Sequence, residues 1–259
     1  MEIRGKRILV TGASEGIGAA CAREFARRGA RLIITARREE RLLELARPED
    51  QVIAGDLTLP DFRERLAREA GSVDVLVNNA GAAAFGSALE ADEPATRLMF
   101  ELNLFAPWNL CRLFAPAMKA RRSGAIVNIS SAAGHVPLPW MAMYSASKSA
   151  LNSMTSALRA EVAHCGVNVI AVWPGYIRTR FGENRLSGSV PEFMRNPTAV
   201  AASAEQCARA VADAVERGAS GVFTPFSARL FVYAHRLLPG VVEKELARRQ
   251  AAIGKMSGQ

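Results

Sequence analysis

The chain has 259 residues, 49% hydrophobic and 22% charged, which excludes a disordered chain and suits a globular protein with a sizeable core. Its formal net charge of +8 favours acidic partners (phosphorylated cofactors, acidic carrier proteins, anionic membrane surfaces or nucleic acid) without choosing among them. The four cysteines and three histidines are scattered, with no CxxC and no metal-ligand spacing, so reduced thiols and no metal are expected.

Met1 to Arg7 runs straight into Ile8-Leu9-Val10 without a signal-peptide pattern, and no apolar run approaches the ~20 residues that span a bilayer. A cytoplasmic protein is the expectation. Arg7–Thr11 reads as a strand, Gly16–Arg28 as a helix stopped by Gly29, and Arg31–Thr35 as a second strand. Glu39–Ala46 reads as a short charged helix, Gln51–Ala54 as a strand, Asp61–Ala70 as a helix and Val73–Asn78 as a strand. Pro94–Arg121 carries one long helical pattern, Ala125–Ser130 a strand, Tyr144–His164 another long helix, and Val167–Val172 a sixth strand; helix returns from about Ser203 to Glu216. Strands that are apolar throughout, alternating with helices, predict a parallel sheet covered on both faces. This is a doubly wound, Rossmann-like α/β fold in a single domain, whose ligands sit at the carboxyl ends of the strands.

Between the first strand and the first helix stands Thr11-Gly12-Ala13-Ser14-Glu15-Gly16-Ile17-Gly18. Glycines allow a tight turn and close approach of a pyrophosphate, and the helix N-terminus supplies free N–H groups and a favourable dipole. A glycine turn alone is weak evidence; its position between strand and helix makes a nucleotide site the better reading.

Four further segments follow in order: Asn78-Asn79-Ala80-Gly81 with Asn103 in the next helix, Ile129-Ser130-Ser131, Tyr144-Ser145-Ala146-Ser147-Lys148, and Pro174-Gly175-Tyr176-Ile177-Arg178-Thr179. With the glycine turn, this set over residues 5–180 resembles the short-chain dehydrogenase/reductase (SDR) family in its short, single-domain branch. The resemblance implies an oxidoreductase that moves a hydride between a nicotinamide and a carbonyl or alcohol carbon, with Asn103, Ser131, Tyr144 and Lys148 as its catalytic set. Ser131 precedes Tyr144 by thirteen positions, a spacing that prefers it over Ser130.

The chemistry stands without the family. Tyr144 and Lys148 are i and i+4 on a helix and share a face. An ammonium within reach favours the phenolate and brings the phenol towards operating pH, where an acid/base group works best. Tyr144 would donate a proton to the carbonyl oxygen, and Ser131 would hydrogen-bond that oxygen. By resemblance, Lys148 would also hold the nicotinamide ribose, and Asn103 would bind a water linking Lys148 to solvent. Each residue alone has an ordinary structural reading (a solvated helix face, a cap, a buried amide); together they favour an active site.

NADP(H) is expected over NAD(H). The second strand ends in Thr35-Ala36-Arg37-Arg38, lacking the carboxylate that holds the ribose in the family's NAD enzymes and offering arginines to a 2′-phosphate, with Ser14 as a further donor. Glu15 opposes this unless it turns to solvent or pairs with Arg37 or Arg38. By resemblance, Gly12, Gly16, Ile17 and Gly18 hold the pyrophosphate. Asp56 and Leu57 meet the adenine, Asn79, Ala80 and Gly81 line the adenosine side, and Pro174, Gly175, Ile177 and Thr179 lie beside the nicotinamide.

A lid is expected at about 181–200, where Phe181, Leu186, Phe193 and Met194 either line an apolar pocket or simply pack. From Pro225 to Gln259 an apolar tail carries six Lys/Arg and two Glu, a net of +4. It lies on a membrane surface, caps the substrate cleft, or packs on its own domain or a neighbouring subunit. Its presence puts the family's common tetramer in doubt and leaves a homodimer through the two long helices. The leading reading is a reductase of a small-molecule, apolar ketone or secondary alcohol. The alternative is a non-catalytic NADP(H)-binding regulator on the same fold. Nucleic-acid binding is disfavoured, because the basic residues lack interleaved aromatics and a recognition motif.

Overall fold

The computed structural model describes residues 1–189 and 201–256, with side chains as far as 248. Seven strands build one parallel sheet: β1 (Arg7–Thr11), β2 (Arg31–Thr35), β3 (Gln51–Val52), β4 (Val75–Asn78), β5 (Gly124–Ile129), β6 (Val167–Pro174) and β9 (Gly221–Thr224). Their order across the sheet is β3-β2-β1-β4-β5-β6-β9. Register is set by apolar pairs such as Val10 with Ile34 on one side and Val77 on the other. The order reverses beside β1, so the turn that follows β1 opens at a topological switch point, where this architecture binds its ligands.

Alternation along each strand feeds two cores. Ile8, Val10, Ile34, Val75, Val127 and Ile170 face α1 (Gly16–Arg27) and α7 (Ala204–Arg217), meeting Phe25, Cys207 and Val211. Leu9, Ile33, Leu76, Ile126 and Val169 face α3 (Pro60–Ala70) and α5 (Ala106–Ala120), meeting Leu66, Leu110, Phe114 and Met118. Burying a single leucine or isoleucine of this kind contributes about 1.5–3 kcal/mol. Arg28 fastens α1 to α7 by pairing with Glu24, Asp213 and Glu216.

The long helix expected over Pro94–Arg121 is instead α4 (Glu93–Phe100), a π-helical turn (Glu101–Phe105) and α5. Pro107 explains the break. It has no N–H to give to the Asn103 carbonyl, so the i→i−4 ladder cannot run through this turn. The helix expected over Glu39–Ala46 ends early, as α2 (Glu39–Leu43). Arg47 pulls the chain away by binding Asp50 and the carbonyls of Ala26 and Ala30. The strand expected at Gln51–Ala54 is assigned only at its start, but Ile53 and Gly55 still donate to Ile34 and Ala36 of its neighbour. α6 (Ala142–Val162) passes through a 3₁₀ turn, Ala163–Cys165, to Gly166, whose φ of 69° ends it in the left-handed region.

β7 (Ile177–Arg178) and β8 (Ala202–Ser203) form a small separate ladder. After β9 the tail folds as α8 (Phe226–Leu237) and α9 (Pro239–Met256).

Candidate active site

The expected pyrophosphate turn is a cradle that a side chain would fill. Gly12 and Gly16 have φ of 63° and 56°, in the region glycine favours. A Cβ on Gly12 would lie 2.8 Å from the Ala80 Cα, and one on Gly18 would run into the Gly12 carbonyl and the Asn79 amide. Glu15, the residue before α1, makes no side-chain cap, so the first-turn N–H groups are offered to an anion. These features fit a dinucleotide.

Thr11, to which sequence reasoning assigns no role, locks the turn to the end of β4. Its hydroxyl accepts from the Asn79 and Ala80 amides at 2.9 and 3.0 Å and donates to the Val77 carbonyl at 3.2 Å. Asn79 spends its side-chain amide on the Thr11 and Gly12 carbonyls, so its side chain shapes the turn.

Arg38 donates to Ser14 at 3.1 Å and pairs with Glu15 at 3.0 Å, which answers the objection that Glu15 raised. The other Glu15 oxygen accepts from Asn184, across the groove. Arg37 is exposed, with no hydrogen bond or ion pair to the described residues, and Ala36 is buried. The Asp56 carboxylate is engaged by Thr58. Leu57 sends its side chain into the core beside Phe62 and Leu66, so only its backbone is available to an adenine. Thr179 closes the far wall, its methyl 3.5 Å from where a Cβ on Gly16 would stand. Gly175 donates to the Thr224 carbonyl, Pro174 ends β6, and Ile177 lies in β7 against the core under α1 and α7. Ile17 is half-buried at the start of α1 and packs on the same core.

The four residues of the expected catalytic set converge at the carboxyl ends of β4 and β5. Asn103, turned inward by the π turn, is fully buried; it accepts from the Ala82 amide at 2.9 Å and donates to the Ala82 carbonyl and the Ser147 hydroxyl, each at 3.0 Å. Both polar atoms of its side chain are thus engaged within the chain, and Pro107 has no N–H to give to its backbone carbonyl. Ser147, absent from the expected set, passes its own proton to the Tyr144 carbonyl at 2.7 Å. The signal was a serine three positions after the tyrosine. Gly81 leaves room here, since a Cβ would sit 3.0 Å from Asn103 Oδ1 and 3.4 Å from Lys148 Nζ.

Lys148 is buried and donates to the Ile129 carbonyl at 3.0 Å, with its Nζ 6.0 Å from the Tyr144 ring centre. Burial pushes its pKa down to about 8. Tyr144 is also buried, and its pKa is pushed up to about 12 against an opposing hydrogen bond with Ser131. With this chain's residues alone, desolvation outweighs that hydrogen bond, and the Lys148 ammonium donates to a carbonyl. The choice between the two serines follows from placement, because Ser131 meets Tyr144 while Ser130 is buried against the Lys148 carbonyl. Behind them a buried ladder, Asn78 to Asn128 to Thr155, joins β4, β5 and α6 and fixes the height of α6 on the sheet.

Apolar groups surround the Tyr144 ring: Phe85, Met99 and Met141 are buried there, with Phe181, Leu186 and Met143 packed against them. Phe181 meets the ring edge-on at 5.8 Å. The first part of the expected lid is stitched down, with Leu186 donating to Ala83 and Phe85 to Ser187. Phe193 and Met194 lie outside the described residues. No cluster of His, Cys, Asp and Glu among the described residues could hold a metal, and no described helix is long and apolar enough to cross a membrane.

Residues 6–189 match the sequence profile of the family described as short chain dehydrogenase. The chain is 34% identical to the mouse dehydrogenase/reductase SDR family member 7B, over 95% of this chain and 82% of that protein. Among solved structures it resembles a short-chain dehydrogenase from Burkholderia cenocepacia in complex with NADP, at 34% identity and a TM-score of 0.83, covering 95% and 99% of the two chains. It also resembles an SDR from Burkholderia phymatum in complex with NAD, at 26% identity and a TM-score of 0.79, covering 92% and 96%.

Proposed function

The chain belongs to the short-chain dehydrogenase/reductase family and is a nicotinamide-dependent oxidoreductase acting on CH–OH and C=O groups; we propose that it is an NADPH-dependent reductase of an apolar ketone. The observation that carries this reading is the convergence of half-buried Ser131 with buried Tyr144, Lys148, Ser147 and Asn103, set beside an uncapped glycine turn. The glycine turn of Gly12, Gly16 and Gly18 would hold a nicotinamide dinucleotide, which when bound would supply the hydride. The Ser131 and Tyr144 hydroxyls lie within hydrogen-bond reach of each other, so one carbonyl oxygen placed beside them would accept from both. Tyr144 then gives up its phenolic proton as the oxygen gains charge. A phenol that holds its proton to about 12 is a donor at neutral pH, and the alkoxide it meets is the stronger base. Lys148, with a pKa near 8, gains or loses a proton near neutral pH and returns one to the phenolate. The Asn103–Ser147 pair holds α6 against the loop after β4, so that these groups keep their spacing.

NADPH is favoured because Arg37 has no partner among the described residues and Arg38 already bonds Ser14 at the lip of the turn, while no carboxylate stands at Ala36. The apolar substrate follows from the Phe85, Met141, Phe181 and Leu186 wall around Tyr144. A homodimer is supported by Leu98, Phe105 and Trp108, large apolar side chains left exposed along α4 and α5.

The test is oxidation of NADPH and of NADH, in parallel, over a panel of ketones, with Tyr144→Phe as control. Turnover with NADPH that falls about 10²–10⁴-fold in kcat in the variant is the expected result. Preference for NADH overturns the cofactor assignment, and tight binding without turnover of any ketone favours the regulator.

A further inference from the structure

The tail presents two unlike faces. On α8, Ala228 and Val232 are buried against Ala132, Val136 and Phe223, and Val242 and Leu246 of α9 join them. The opposite side carries Phe226, Leu230, Tyr233 and Leu237, at i, i+4, i+7 and i+11, which is one narrow stripe of a helix. These four are 65%, 58%, 43% and 75% exposed, and Leu238 and Val241 extend the stripe at 59% and 62%. A row of six exposed large apolar residues is not ordinary surface scatter. Arg229 and Arg236 stand together on one flank, with the Arg229 guanidinium over the Phe226 and Tyr233 rings at 6.0 and 5.4 Å.

We propose that this face of α8 docks on an anionic lipid bilayer. Aromatic and aliphatic side chains on one stripe, with arginines at its border, are the composition of a helix lying in the headgroup boundary. The stripe is about 16 Å long, eleven rises of 1.5 Å, enough to lie flat but not to span. Charge selects the occupant. The chain carries +8 and the segment from Pro225 onward +4, so a second copy meeting through this face would bring like charges together, whereas an acidic headgroup layer neutralises them. α8 also lies on the Pro174–Gly175 turn, where a Cβ on Gly175 would stand 2.9 Å from Ala228, so docking holds the ligand end of the sheet near the bilayer. The proposal does not depend on which carbonyl compound is reduced.

The experiment is co-sedimentation of the full chain with vesicles of phosphatidylglycerol and phosphatidylcholine, and with phosphatidylcholine alone, at low and high salt. Binding is expected only to the mixed vesicles and should weaken in salt. Leu230→Glu with Leu237→Glu should abolish it while leaving turnover unchanged, both side chains being exposed. Arg229→Gln with Arg236→Gln, which keeps the stripe, should lower partitioning on the order of tenfold and carries the test if the first variant misfolds. Failure to bind mixed vesicles, or equal binding by the Glu variant, overturns the proposal. So does a concentration-dependent dimer that the Glu variant dissociates while vesicles go unbound, for the face then belongs to a second copy.

Discussion

The glycine turn at one side of the site and the apolar wall around Tyr144 at the other are built on different principles. In the turn, each residue does something that few others could do. Gly18 must lack a Cβ, Thr11 must offer a hydroxyl to two amides, and Asn79 must reach two carbonyls. The wall of Phe85, Met141, Phe181 and Leu186 is held by van der Waals contact, to which many side-chain sets contribute comparably. A function fixed by hydrogen-bond geometry leaves a spaced motif. One fixed by shape leaves only a hydrophobic composition.

Lys148 belongs to neither region, being buried like a wall residue yet proposed to relay protons. Lys148→Met should lower kcat by orders of magnitude. Its effect on stability depends on pH. The folded pKa of about 8 lies below the 10.5 of a free lysine. Below about 8 the folded and unfolded chains both carry the proton, and the folded one bears the cost of a buried ammonium. Between about 8 and 10.5 the unfolded chain binds the proton and the folded chain does not, so wild-type stability rises with pH across that window and then levels off. The variant lacks this rise. Chemical denaturation of both proteins at several pH values should show the stability difference moving in favour of the wild type through the window. A difference that stays constant would place the charge in water rather than in the protein.

A smaller effect is expected at Gly18→Ala. A Cβ there meets the Gly12 carbonyl and the Asn79 amide, so the turn must open. Stability should fall by about 1–3 kcal/mol, the usual cost of overpacking. NADPH binding, read by fluorescence titration, should weaken far more than ketone binding. Retained affinity would mean that the turn is structural and the cofactor lies elsewhere.

These particulars explain what was legible. The parallel sheet was readable because its strands are apolar on both faces, and the candidate catalytic residues because their motifs resemble those of the short-chain dehydrogenase/reductase family, with Tyr144 and Lys148 also four apart on one helix. The π turn was missed because the apolar periodicity runs through it, although Pro107 marks the place where the helical ladder must fail. Ser147 and the Asn78–Asn128–Thr155 ladder were missed because buried polar residues with ordinary neighbours carry no periodic signal. The i, i+4 spacing brings Lys148 to the face of Tyr144 but says nothing of the Ile129 carbonyl that accepts its hydrogen bond.

The smallest effect is expected in the apolar wall. Phe181 touches Tyr144 edge-on at 5.8 Å and is only partly buried. An aromatic pair of this kind contributes about 0.5–1.5 kcal/mol beyond its area. Phe181→Ala should therefore cost little stability, widen the wall, and raise the KM for the best ketone several-fold while leaving the KM for NADPH and the pH profile of kcat unchanged. If Phe181 were instead a positioning residue for the phenol, its loss would move the pH profile of kcat as well, because the desolvation that holds Tyr144 near 12 would be relaxed. The split between a substrate-only effect and a shifted profile decides whether the wall merely encloses the substrate or also sets the chemistry of the tyrosine it surrounds.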